Sequence, residues 1–190
     1  MTTLEASAHV VDQELWINYR VVNRSAQVLY LFNVLSHPDR QRCEYSTGIA
    51  YVNACPPASV LFLQGWAPLP KDRYLLAPTN PGATRVRSNQ VAECTLRFPL
   101  PLREWHCYAP VPDDRTPTQT VEIERATLLI DSLLDADKFE DPMVYSDLPD
   151  VLWVDGDPVQ RLRADFKLPC PCPVQLRLDE FARFPPEYVM

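Results

Sequence analysis

The sequence predicts an all-β protein, an antiparallel β-sandwich with at most one or two short helices, in one domain spanning residues 1–190. Three observations lead there. Side-chain polarity alternates with a period of two in several segments, which is the mark of a strand with one face buried. Proline is abundant at 20 and scattered along most of the chain, which breaks long helices. The apolar runs are short and separated by Pro, Asn and Asp turn residues, the punctuation of an all-β domain.

The elements follow in order. Leu4, Ala6, Ala8 and Val10 share one face of a first strand. Leu15, Ile17, Tyr19 and Val21 share one face of a second, with Trp16, Asn18 and Arg20 opposite. After a turn at Asn23-Arg24-Ser25-Ala26, the run Val28 to Phe32 is apolar on both faces. Such a strand lies centrally, covered on each side, so Leu15–Leu35 reads as a hairpin inside a sheet. Further strands are expected at Ile49–Ala54, Val60–Gln64, Arg73–Leu76, Thr84–Arg87, Ala92–Leu100, Val121–Ile130, Val151–Val154 and Val159–Leu178. Only Asp131–Phe139 has a helical stripe, in Leu133, Leu134 and Phe139, and Pro101–Thr120 reads as a long proline-rich connection. The strands around the Asn-x-Ser turn resemble the opening of immunoglobulin-like sandwiches. The resemblance is architectural, because the Cys…Trp…Cys pattern of antibody domains is not evident.

In Val159–Leu178 the even positions Leu162, Ala164, Phe166, Leu168, Cys170, Cys172, Val174, Leu176 and Leu178 are apolar, and the odd positions from Arg161 to Arg177 are polar or proline. Prolines 169, 171 and 173 share one parity, so they remove hydrogen-bond donors from one edge of a single long strand; the alternative is two strands joined by a proline-rich corner. Cys170 and Cys172 are expected on the inner face as small hydrophobes. Two thiols alone fall short of the four ligands of structural zinc, and extended neighbours two apart are poorly placed for a disulfide.

No basic leader or long apolar run is visible, so a cytoplasmic protein with no membrane segment is expected. In that compartment the six cysteines are expected to be unpaired, buried thiols. The net charge is -7, and Asp131–Asp157 holds nine acids against Lys138 alone, leaving the rest of the chain near neutral. No basic cluster exists to neutralise a phosphate backbone, which disfavours nucleic acid.

Motifs for chemistry are sparse. His106 sits beside Cys107, and Asp113-Asp114 and Glu122/Glu124 are carboxylate pairs, which keeps a hydrolase pocket as an alternative. Gly48, Gly65, Gly82 and Gly156 are too dispersed for a phosphate loop, and no cofactor or metal site is expected. Asp155-Gly156 is a hairpin turn.

The functional expectation rests on the acidic segment. Phe139, Tyr145, Asp147, Asp150, Trp153, Asp155 and Asp157 combine a negative field, which speeds encounter with a basic partner, with aromatic anchors for the docked state. Gly65-Trp66 is a second candidate anchor. The expected function is therefore a protein-binding module (an inhibitor, immunity protein or assembly adaptor), with a structural subunit of a larger particle as a further alternative.

Overall fold

A computed structural model describes residues 1–36, 45–55, 59–68, 80–108, 115–135, 143–144, 152–153, 160–178 and 184. Thirteen strands lie among them: β1 (Thr2–Val11), β2 (Glu14–Asn23), β3 (Val28–Ser36), β4 (Tyr45–Ser46), β5 (Tyr51–Cys55), β6 (Ser59–Gln64), β7 (Gly82–Val86), β8 (Val91–Pro99), β9 (Leu102–Arg103), β10 (Thr118–Asp135), β11 (Met143–Val144), β12 (Leu152–Trp153) and β13 (Gln160–Arg177). No helix occurs among the described residues.

The strands form two sheets. The smaller is antiparallel, in the order β1-β2-β8. The larger follows β11-β12-β7-β3-β10-β13-β9, with β4 beside β3, β6 beside β10 and β5 beside β6. It is mixed: β6 runs parallel to β10, and β9 parallel to β13. The expectation of purely antiparallel sheets is corrected here. The parallel pairs join segments far apart in sequence, and a connection of that length leaves no local signal.

The expected hairpin at Leu15–Leu35 is also corrected. β2 pairs with β1 and β8, whereas β3 pairs with β10, β7 and β4. The chain crosses from one sheet to the other at the Asn23 turn. The Asn23 amide, fully buried, donates to the carbonyls of Gln27 at 2.8 Å, Val86 at 2.9 Å and Arg87 at 3.3 Å. Its Oδ1 accepts from the Ser25 N–H at 3.0 Å and the Ser25 hydroxyl at 2.6 Å. One side chain thus satisfies a buried corner that would otherwise leave carbonyls unpaired.

Alternation then distributes the core. Leu15, Ile17, Tyr19 and Val21 of β2 and Leu96 and Phe98 of β8 meet Leu29, Leu31, Phe62, Leu128, Ile130 and Val174 of the large sheet in one apolar cluster. The Phe62 and Phe98 rings, 4.9 Å apart, join the two sheets. Tyr30 and Phe32 point the other way, into a cluster with Ala83, Leu133, Leu152 and Trp66. The apolar-on-both-faces reading of β3 is explained: each face meets a different core.

Residues 131–135, expected to start a helix, are the end of β10, with Ser132, Leu133 and Leu134 opposite Leu31, Tyr30 and Leu29. Ladder pairing with β3 overrides the local helical stripe. The long connection Pro101–Thr120 holds β9 and a bridge between Trp105 and Val52. Arg73–Leu76 lies outside the described residues.

β13 is one long strand as expected, but its pairing with β10 shifts register. Ile123 faces Cys172, and the next pair is Arg125 with Lys167. Residues 168–171 therefore bulge from the ladder. Cys172 is fully buried, but Cys170, on the bulge, is exposed. The expectation that both thiols lie inside holds for Cys172 and fails for Cys170, because an outward bulge suspends the two-residue alternation.

Candidate functional site

The outward face of the small sheet carries side chains that the pleat sets in cross-strand rows. Glu5 faces Arg20, which faces Glu93; Ser7 faces Asn18, which faces Thr95; His9 faces Trp16, which faces Arg97. The rows alternate in sign or pair by hydrogen bonding. Arg20 approaches Glu93 at 3.6 Å, and the Thr95 hydroxyl donates to Asn18 Oδ1 at 2.7 Å. The first two rows line a hollow of about 730 Å³.

The third row is aromatic at its centre. The Arg97 guanidinium lies 3.9 Å from the Trp16 ring centroid, a cation–π geometry. The His9 ring is 5.7 Å away on the other side, and Trp16 Nε1 donates to Glu14 Oε2 at 3.1 Å. Trp16 is thus held in one orientation on a solvent-facing sheet.

Behind the hollow a polar seam ties the two sheets together. The buried Tyr19 hydroxyl accepts from Asn33 Nδ2 at 3.0 Å, and Thr84 Oγ1 donates to Asn33 Oδ1 at 2.8 Å. Gln64 Nε2 donates to the carbonyls of Thr47 at 2.8 Å, Ile49 at 2.9 Å and Asn33 at 3.2 Å. Burial pushes the Tyr19 hydroxyl well above its ordinary pKa, so it stays neutral. The seam fixes the floor under the exposed face.

Of the residues expected to bind a partner, Phe139, Tyr145, Asp147, Asp150, Asp155 and Asp157 lie outside the described residues. Trp153 falls in β12, opposite Met143 of β11. Asp131, counted with the acidic segment in the sequence, is buried: Oδ1 meets Arg161 Nε at 2.6 Å and Oδ2 accepts the Trp66 N–H at 3.0 Å. Gly65, at φ 143°, lets the chain pass there, since a Cβ would sit 2.3 Å from Asp131 Oδ2. Trp66 is half-buried and packs edge-on against Phe32 at 4.1 Å.

The hydrolase candidates are dispersed. His106 is buried, its Nδ1 accepts the Tyr108 N–H at 3.2 Å, and its ring lies 5.5 Å from Phe184. The half-buried Cys107 adjoins the Tyr51 hydroxyl, which burial pushes well above its ordinary pKa. Glu122 and Glu124 are exposed on β10, and Asp113 and Asp114 lie outside the described residues. A carboxylate absent from these pairs is more deeply placed: Glu104 is fully buried and accepts the N–H groups of Ala54 at 3.1 Å and Arg177 at 2.7 Å. It clamps β5 to β13.

Sequence reasoning placed Trp16, Asn18 and Arg20 on one strand face but missed the rows they complete. No local signal finds them, because their partners on β8 lie 73 to 81 positions away in the chain. Comparison with known protein families, curated proteins and solved structures gives no match.

Proposed function

We propose that this chain is a protein-binding module whose docking surface is the outward face of β1, β2 and β8, and whose partner carries a basic surface. The observation that carries the reading is the His9–Trp16–Arg97 row. Tryptophan and arginine dominate binding hot spots, and a Trp already held in one orientation loses little entropy on docking. Charge complementarity supports the choice of partner. With Asp131 neutralised by Arg161, the stretch 132–157 still carries eight acids against Lys138. That field accelerates encounter with a basic partner, and Glu5 and Glu93 rim the hollow where it docks.

The reading takes the two sheets as layers of a sandwich, supported by the apolar cluster they share. It takes the compartment as cytoplasmic, supported by free thiols at Cys94, Cys170 and Cys172. Among the described residues, no helix is long and apolar enough to cross a membrane.

The test compares capture by the wild-type chain and by Trp16→Ala from the same host extract, read by quantitative mass spectrometry. The expected result is a basic protein enriched by the wild type and reduced roughly 30-fold with Trp16→Ala, the size of a hot-spot loss of about 2 kcal/mol. Equal enrichment by both chains removes this face from the interaction. A captured partner that is acidic refutes the steering reading.

A further inference from the structure

A second hollow, of about 490 Å³, lies on the large sheet where β6, β10 and β13 run side by side. Its charges are arranged unlike any row of the small sheet. Arg125 and Lys167 are direct cross-strand partners in the β10–β13 ladder, the first pair after the bulge. Like charges directly opposite destabilise a sheet, and bulges commonly re-aim side chains beside binding sites. Both side chains are exposed, and among the described residues neither makes an ion pair, although Glu124 precedes Arg125 in the chain.

The third cation is already matched. Arg163 Nε meets Asp165 Oδ2 at 3.0 Å and Oδ1 at 3.2 Å, and the Thr127 hydroxyl donates to Oδ1 at 2.6 Å. Arg163 first, and then the Thr127 hydroxyl, hold the Asp165 carboxyl below its usual pKa, so it stays ionised beside Arg163. Two uncompensated positive charges remain in the hollow, in a chain whose net charge is -7.

We propose that the Arg125–Lys167 hollow binds a dianionic phosphate monoester of small-molecule size. The charge selects the ligand: a phosphate monoester carries about -1.5 to -2 near neutral pH, matching two cations, where a single carboxylate leaves one unmatched. Arginine offers a planar fork for two phosphate oxygens and lysine a point charge for the third. The volume suits a small ligand. A bound dianion turns the repulsive cross-strand pair into an attractive triad. The inference does not depend on the docking face proposed above.

The experiment follows thermal unfolding of the full chain with inorganic phosphate at millimolar concentration, with ionic strength held constant by chloride. Wild type, Arg125→Glu and Arg87→Glu are compared; the last makes the same charge change on the turn after β7. Phosphate is expected to raise the wild-type midpoint and to shift backbone amide resonances around Arg125 and Lys167. Arg125→Glu is expected to raise the midpoint without phosphate, by placing a carboxylate opposite Lys167, and to lose the phosphate increment. Arg87→Glu is expected to keep it. A phosphate increment that persists in Arg125→Glu, or is absent from the wild type, overturns the site. A phosphoserine peptide is the second arm: affinity comparable to inorganic phosphate supports the small ester, and binding more than tenfold tighter overturns that source in favour of a modified partner side chain.

Discussion

The outward face of the small sheet and the hollow on the large sheet are both solvent-facing, both concave and both built from cross-strand rows. They differ in how the rows are charged. On the small sheet Arg20 stands between Glu5 and Glu93, so the cation is matched on both sides and the row keeps one net negative charge. In the hollow Arg125 stands opposite Lys167, so charge adds. A nearly balanced face presents a weak negative charge beside the area and orientation of Trp16. A face with summed charge offers a field and needs a counter-charge. One protein thus presents two surfaces of different electrostatic character, and salt separates them: screening weakens a charged contact in the hollow far more than an aromatic contact on the small sheet.

The largest test concerns charge matched in the interior, the limit of the matched case. Asp131→Ala leaves Arg161 and the Trp66 N–H without their shared partner, at a cost of about 3 kcal/mol in urea unfolding. A loss well below ~1 kcal/mol shows that the carboxylate is replaceable by water and that Asp131 belongs with the surface acids.

Next in size is the thiol beyond the bulge. Burial, and then the neighbouring Cys170, push the Cys172 thiol up to about 11 from its ordinary 9.0. The folded state favours the neutral form, so this contribution is fully present below pH 9.0 and is lost as pH rises towards about 11. Roughly 2–3 kcal/mol disappears across that window, and Cys172→Ala is expected to flatten the slope of stability against pH there. An unchanged slope assigns the alkaline loss to other groups.

The comparison itself is sharpened by one kind of substitution made twice. Arg20→Glu turns a row with a matched cation into three acids and is expected to destabilise by about 0.2–1 kcal/mol, a loss that salt relieves. Lys167→Glu turns a repulsive pair into an attractive one and is expected to stabilise by a similar amount. Shifts of the same sign in chemical denaturation break the contrast between the two surfaces. The smallest effect is Arg97→Gln, which removes the cation from above Trp16 and is expected to cost about 0.5 kcal/mol, with a change in Trp fluorescence reporting the freed ring.

Much of the fold was legible from residues alone, and the exceptions have physical causes. The faces of β2 and β3 follow from alternation: Leu15, Ile17, Tyr19 and Val21 are all buried, and so are Leu29 through Leu35. The supposed hairpin failed because an Asn-x-Ser turn between two strands looks the same whether they pair or part, and only the buried Asn23 amide, donating to Val86 and Arg87, reveals a corner. The helix at Asp131 failed because Leu133 and Leu134 fit either period until β3 supplies a ladder. The candidate sites were less legible. Trp16 and Arg97 lie eighty-one positions apart, and Arg125 and Lys167 forty-two, so neither row exists until the strands pair.

What this chain determined by itself is local: which segments extend, which face of each turns inward, where the acids gather and where the prolines sit. A two-residue repeat of polarity is a property of neighbours in the chain, and neighbours suffice to encode it. The tertiary structure decided register, the parallel pairs, the bulge that exposes Cys170 while burying Cys172, and which charges stand opposite which. Those are relations between distant segments, set by packing both sheets on one apolar core, and no single stretch carries them.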